Sequence, residues 1–299
     1  MKIAVTGGTG FVGSRLIEAL QEAGHEIKAL TRRAMPAATA VEWVSGSLED
    51  QPALARLCEG ADATIHVAGV INADEAGFEA GNVHGTAAVI AAAKSANVRR
   101  FVHVSSLAAR EPELSRYGGS KARSEAVARE SGLDVAIVRP PAVYGPGDKE
   151  TLELFRMAKR GLILLPPEGS LSLIHADDLA RLLISLATAQ SPPTLTEPDD
   201  GKAGGWTHRE LGLALGAAVG RNVFALSMPR AAVRMGALLD GLVRRGNAKL
   251  TPDRAAYFCH PDWVADPALA PPPELWAPAI DTREGLRATA EWYSEHRWL

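Results

Sequence analysis

Tyr117 and Lys121 stand four residues apart in the run Tyr117-Gly118-Gly119-Ser120-Lys121, a spacing that puts a phenol and an ammonium on one face of a helix continuing to Arg129. A phenol with a pKa near ~10 is a poor base at neutral pH, but an adjacent cation favours the phenolate and brings proton transfer within reach. Ser105-Ser106 closes an apolar run just upstream, where a hydroxyl can hydrogen-bond the oxygen of a reacting group. Alone, the Tyr-x-x-x-Lys spacing fits a solvated helix face equally well. Its weight comes from what opens the chain.

Residues 1–24 read as a short buried strand, a glycine turn and an amphipathic helix. Lys2-Ile3-Ala4-Val5-Thr6 is the apolar run, and Phe11, Val12, Leu16, Ile17 and Leu20 then recur at helical spacing. Between them lies Gly7-Gly8-Thr9-Gly10-Phe11-Val12-Gly13. Gly7 permits a tight turn, Gly10 lets the backbone approach a pyrophosphate, Gly13 lets helix and strand pack, and the helix N-terminus offers free N–H groups to phosphates. This is the pattern of a dinucleotide site, and an oxidised nicotinamide adds to the forces favouring the Tyr117 phenolate.

The elements that must position these groups follow from the alternation of apolar runs up to Arg139. Strands are expected at Ile3–Thr6, Glu26–Leu30, Val41–Ser45, Ala63–Val67, Phe101–Ser105 and Val135–Arg139, separated by helical patterns. Alternation of this kind implies α/β architecture, a Rossmann-type doubly wound parallel sheet covered on both faces, with ligands beyond the carboxyl ends of its strands. Those ends carry Gly7, Thr31-Arg32-Arg33, Gly46-Ser47-Leu48, Ala68-Gly69, Ser105-Ser106 and Pro140-Pro141. The second strand ends without the acidic residue that binds ribose hydroxyls in NAD-selective sites. Arg32 and Arg33 stand there instead, which favours a 2′-phosphate and hence NADP, with NAD possible.

Beyond Gly145 the alternation fails and Pro and Gly accumulate. Residues 1–145 are expected to form the dinucleotide-binding domain and 146–299 mainly a smaller lobe over the substrate, with about 170–190 returning to the first domain. Helices are expected at Thr151–Arg160, after His175-Ala176-Asp177-Asp178 with an Asp as N-cap, near Thr207–Val219 and Pro229–Arg245, and at Thr282–Tyr293. Gln190–Gly205 reads as a surface loop. The alanine-rich helices near Gly81–Ala96 and Ser115–Arg129 can pack closely, within a monomer or across a homodimer.

Composition narrows the function classes. The chain has 299 residues and a net charge of −3 without a long basic run, which disfavours nucleic acid or an anionic membrane as the main partner and leaves small molecules. Cys58 and Cys259 fit no metal or disulfide spacing, and no metal is expected. His66 and His103 lie in apolar strands and read as core histidines, while His175 borders the expected cleft. The first strand starts within two residues of Met1, and no apolar run approaches the ~20 residues of a spanning helix, so a cytoplasmic protein is expected.

Taken together these stretches resemble the extended short-chain dehydrogenases/reductases, the NAD(P)-dependent epimerase/dehydratase branch. The resemblance runs along nearly the whole chain: TGGTGFVG, HVAG (66–69), NVHGT (82–86), FVHVSS (101–106), YGGSK (117–121), RPPAVYGPGD (139–148), HADDLA (175–180) and the ending TREGLRATAEWY. It implies a catalytic set of Ser106, Tyr117 and Lys121 assisted by Asn82, with Lys121 also on the nicotinamide ribose. The cofactor would lie against Gly7, Thr9, Gly10, Phe11, Val12, Gly13, Arg32, Arg33, Ser47, Leu48, Ala68, Gly69, Pro140 and Val143. Oxidoreduction of a secondary alcohol or ketone is the leading expectation. A nucleotide-sugar epimerase or dehydratase with tightly bound cofactor, or a non-catalytic NADP sensor or assembly protein, are the alternatives. In the sugar-nucleotide enzymes an Asn after the sixth strand helps hold a diphosphate. Here Ala142 takes that place, which points to a small, largely apolar substrate.

Overall fold

The computed structural model describes residues 1–36, 41–244 and 250–299; Arg245, expected at the end of one helix, lies outside them. The six expected strands form as β1 (Lys2–Thr6), β2 (Glu26–Thr31), β3 (Val41–Ser45), β4 (Ala63–His66), β5 (Arg100–Val104) and β6 (Asp134–Val138). Short strands follow: β7 (Ala142–Tyr144), β8 (Leu162–Leu165), β9 (Ser170–Leu171), β10 (Leu173–His175), β11 (Leu195–Thr196), β12 (Trp206–Thr207), β13 (Phe224–Ser227) and β14 (Asp262–Trp263). The main sheet is parallel throughout, in the order β11-β6-β5-β4-β1-β2-β3. The chain runs outward from β1 to β3, then crosses back to β4 and runs the other way. The strand order therefore reverses between β1 and β4, and the crevice beyond their carboxyl ends is where such a sheet receives a ligand.

The seventh strand corrects the reading of Gln190–Gly205 as a loop throughout. Leu195 and Thr196 pair with Ile137 and Val138 at the sheet edge. Two residues between proline and glycine clusters show no alternation, so nothing local announces them.

The Phe11–Glu22 helix buries Leu16, Ile17 and Leu20 of its expected stripe on the sheet, together with Gly13, while Phe11 and Val12 are half-buried. It stops at Gly24, whose φ of +74° only glycine adopts without strain, with Gly24 N donating to Gln21 O and His25 N to Leu20 O. The Ala176–Thr188 helix joins the same core through Leu179, Leu182, Leu183 and Leu186. Its N-cap is not an aspartate. His175 caps it, Nδ1 accepting from Asp177 N at 3.2 Å, while Asp177 and Asp178 occupy the first turn. There Asp177 receives a forked pair from Arg15, and Asp178 accepts from the Ala279 and Ile280 N–H groups. These carboxylates favour the positive helix end while fastening two other segments to it.

The C-terminal part has its own core of Tyr144, Phe155, Leu173, Trp206, Leu215, Leu286 and Tyr293. Thr207 caps the His208–Ala218 helix in a capping box with Glu210. Strands β8 and β13 make a two-stranded parallel ribbon whose outer face shows Leu162, Leu164, Phe224 and Leu226.

Candidate active site

Three segments converge beyond the ends of β1, β4 and β5. The first is the glycine turn. A Cβ at Gly7 would meet Ala68 N at 2.6 Å, and one at Gly13 would lie 2.0 Å from Gly7 O, so turn, helix and the β4 end touch through backbone alone. Gly10 is the N-cap of the Phe11–Glu22 helix with no side-chain cap, and with Thr9 it is exposed. Uncapped N–H groups at a helix start, beside a glycine cradle at the sheet's switch point, fit a pyrophosphate. Phe11 and Val12 are half-buried behind it.

The second segment is the β4 end. Thr6 Oγ1 holds His66 Nδ1 at 2.6 Å and accepts from Ala68 N at 3.3 Å, which ties β4 to the turn. A Cβ at Gly69 would lie 3.1 Å from both Asn82 Oδ1 and Lys121 Nζ, so the bare glycine leaves open the space over these two groups. Asn82 is buried and fully engaged: Oδ1 accepts from Val70 N at 2.7 Å, and Nδ2 donates to Val70 O at 3.0 Å and Ser120 Oγ at 2.8 Å. It holds the 68–70 loop against the helix that carries Tyr117 and Lys121.

That helix, Arg116–Arg129, is the third segment. Ser115 caps it by accepting from Gly118 N at 3.0 Å. Gly118 admits the turn Leu107–Arg110 and Gly119 the backbone after it, since a Cβ would meet Ala108 O at 2.6 Å and Pro112 O at 2.9 Å respectively. The close approach brings Ser106 to Tyr117 as a hydrogen-bonding neighbour that lowers the phenol's pKa. Burial outweighs this and holds the phenol above its ordinary value. Lys121 is buried, donates to Val104 O at 2.9 Å, and is pushed down to about 8 by burial, opposed by Glu125. The expected lowering of Tyr117 by Lys121 is thus not what sets the phenol here, because the ammonium is turned to the β5 carbonyl.

The two serines are distinguished by their partners. Ser105 Oγ donates to Glu125 Oε1 at 2.6 Å, inside a buried network; Ser106 Oγ accepts from Ala108 N at 3.2 Å and is left beside Tyr117. Glu125 binds Arg139 through both oxygens at 2.8 Å, and Arg139 and Arg110 meet the buried Glu197 at 3.3 and 3.4 Å. Burial raises the Glu125 pKa, but Arg139, Ser105 and Arg129 together leave it below the usual carboxylate range. Glu125→Ala removes the forked partner of Arg139, leaving it only the longer contact with Glu197, and is expected to cost about 3 kcal/mol in urea unfolding. Because the folded carboxyl is depressed, its contribution is complete above the unfolded value and is lost as pH falls through the folded one. The wild-type advantage over Glu125→Gln should accordingly shrink only at acid pH; a constant gap across pH would contradict the ion pairing.

Other expected contacts are spread around these segments. Arg32 and Arg33 are exposed at the end of β2, Arg33 N donating to Thr31 Oγ1 at 3.0 Å. Ser47 and Leu48 follow β3, with Leu48 against Gly85. Pro140 is buried, its carbonyl accepting from Leu107 N at 3.1 Å, and Val143 is half-buried on the main core. His66 and His103 are core residues, stacked 5.6 Å apart, and burial, with Lys121 adding to it, pushes His66 down to about 3. His175 is buried edge-on to Tyr144, away from the open surface.

Sequence reasoning missed the wall opposite Tyr117. Tyr257 and Trp263, stacked at 4.6 Å, join Leu107, Leu114 and Leu171 around the phenol, with the Phe78 ring 6.0 Å from it. Arg116 N donates to Asp253 Oδ1 at 2.7 Å and Arg110 Nη1 to Val264 O at 2.7 Å, which brings this late segment over the cleft. The aromatic cluster Tyr257, Phe258, Trp263 behind a Pro252 helix start is the one local signal that could have marked it.

A parallel sheet with a glycine turn at its switch point and a Tyr/Lys pair at the adjoining strand end defines a Rossmann-type NAD(P)-dependent oxidoreductase. The chain belongs to the NAD dependent epimerase/dehydratase family, which matches residues 3–195. It is 37% identical to a ceramide reductase of Caulobacter vibrioides, over 99% of this chain and 96% of that protein. A 2-alkyl-3-oxoalkanoate reductase of Stenotrophomonas maltophilia is 30% identical, over 96% and 98% respectively. The fold is shared with the Bordetella bronchiseptica enzyme WbmG, solved with NAD and UDP, at a TM-score of 0.75 and 20% identity, over 98% of this chain and 95% of that one.

Proposed function

We propose that the enzyme is an NADP(H)-dependent reductase of ketone carbons in largely apolar substrates, reversible with the secondary alcohol. The observation that carries this reading is the surroundings of Tyr117: a phenol with a serine hydroxyl beside it, walled by Phe78, Leu107, Tyr257 and Trp263. NADPH, when bound, would supply the hydride that reduces the carbonyl carbon. Ser106 hydrogen-bonds the carbonyl oxygen, and Tyr117, held protonated at neutral pH by its burial, donates the proton that completes the alcohol. Lys121 would hold the ribose hydroxyls, and Asn82 keeps the loop at 68–70 in place above it. Ala142 at the position where relatives of the sugar-nucleotide type use Asn argues against a diphosphate-bearing substrate, and the two reductases resembling this chain are named for a ceramide and a 2-alkyl-3-oxoalkanoate rather than for nucleotide sugars.

The substrate class is tested by following NADPH absorbance with ketones of increasing chain length, alongside calorimetry with UDP, dTDP and GDP sugars. The reading expects turnover that rises with chain length and no sugar-nucleotide binding; micromolar binding of any such sugar would overturn it.

Cofactor preference follows from Arg32 and Arg33. A guanidinium pairing with the 2′-phosphate contributes ~1.5–3 kcal/mol, so Arg32→Ala should weaken NADPH roughly tenfold or more and leave NADH unchanged. Equal affinity of the wild type for both cofactors would defeat the assignment.

A further inference from the structure

The Arg230–Arg244 helix is amphipathic in the wrong direction for a core element. Its inner side carries Val233, Gly236, Ala237 and Asp240, of which only Ala237 is buried and the others half-buried, whereas Met235, Leu238, Leu239 and Leu242 are 57%, 60%, 54% and 77% exposed. At 100° per residue these four, with Ala231, form one outward stripe. Hydrophobic stripes of this size on a surface mark a place where something apolar is met. From 221 to 244 the chain carries four arginines against one carboxylate, Asp240, which is paired with Arg244 at 3.1 Å, although the whole protein has a net charge of −3.

We propose that this helix is a docking surface for an anionic lipid bilayer, lying in the interface with its leucine stripe toward the acyl chains and Arg230 and Arg234 toward the headgroups. An apolar face rimmed by arginines is the composition of an interfacial helix. No helix among the described residues is long and apolar enough to cross a membrane, so the contact is with one leaflet. A second copy of the chain fits less well, since along this helix the one carboxylate, Asp240, is taken by Arg244 and a copy of the stripe offers Arg230 and Arg234 no acidic partner. The helix packs on Pro252–Phe258, which carries Tyr257 of the cleft wall. Docking therefore brings the segment that carries Tyr257 next to the lipid surface.

The test is flotation of the full chain with vesicles of equal parts phosphatidylcholine and phosphatidylglycerol, and with phosphatidylcholine alone, without substrate. Binding is thereby read separately from the reductase activity. The wild type is expected to float with the anionic vesicles, less as salt is raised. Arg230→Ala with Arg234→Ala should weaken this roughly thirtyfold, at the contribution of surface arginines to anionic membranes. Leu238→Glu with Leu242→Glu should abolish it while the melting temperature stays that of the wild type. Failure of the wild type to float with the anionic vesicles would overturn the proposal, as would unchanged flotation of the leucine variant. A wild-type dimer that the leucine variant dissociates, with no vesicle binding, would assign the stripe to a second copy instead.

Discussion

Tyr117→Phe is expected to lower kcat by a hundredfold or more while leaving the dissociation constant for NADPH within about twofold of the wild type. The substitution removes one oxygen, the one beside Ser106, and keeps the ring that packs on Phe78 and within the Leu107, Tyr257 and Trp263 cluster. Stability should therefore hold, and the loss be confined to the chemical step. The phenol's raised pKa adds a pH signature. Ketone reduction needs the protonated phenol and should show no loss from this group across neutral pH. Alcohol oxidation needs the phenolate and should climb as pH rises toward the phenol's pKa. In Tyr117→Phe that climb should vanish. Stopped-flow measurement of a single turnover checks both, and full turnover by the Phe variant would remove Tyr117 from the mechanism.

Gly13→Ala should abolish measurable cofactor binding, at least a hundredfold, and lower stability by about 1–3 kcal/mol. The added methyl would stand 2.0 Å from Gly7 O, 2.7 Å from Gly7 C and 2.8 Å from Gly8 Cα. All three are backbone atoms, so no side chain can rotate away. The helix must withdraw from the turn, and its N–H groups withdraw from the phosphates with it. Gly10→Ala separates the two effects. Its φ of −84° suits any residue, and its Cβ would come no closer than 3.3 Å to Gly7 O, so stability should stay near that of the wild type. Yet that methyl faces the open side, where the pyrophosphate is expected. Titration of cofactor fluorescence, with urea unfolding in its absence, distinguishes these outcomes; unimpaired binding by Gly10→Ala would show that the phosphates do not lie on this turn.

Much of this architecture is legible without coordinates because its determinants are local. The strands β1 to β6, the glycine turn and the helix that follows depend on apolar period and on backbone freedom at single residues, and both are written in consecutive positions. The family is carried by the same stretches. So is the Tyr117–Lys121 pair, since i and i+4 share a face wherever the helix lies.

What only the tertiary structure decided involves partners far apart in sequence. Strand β11 exists because β6 offers it an edge, and a two-residue strand has no period of its own. His175 caps its helix because Asp177 is taken by Arg15, 162 residues away, and Asp178 by the 279–280 backbone. The resemblance alone picks Ser106 over Ser105, and the physical reason appears only when Glu125 claims the first hydroxyl. Tyr257 and Trp263 become a cleft wall only when Arg116 and Arg110 hold their segments against the Tyr117 helix. The segment from Phe224 to Leu242 has the same stripe whether it covers a ligand, fills a core or meets solvent. A helix's hydrophobic face is a property of its sequence, but which way that face points depends on what packs behind it, and here Val233, Gly236, Ala237 and the Asp240–Arg244 pair take the inner side and leave the leucines outward.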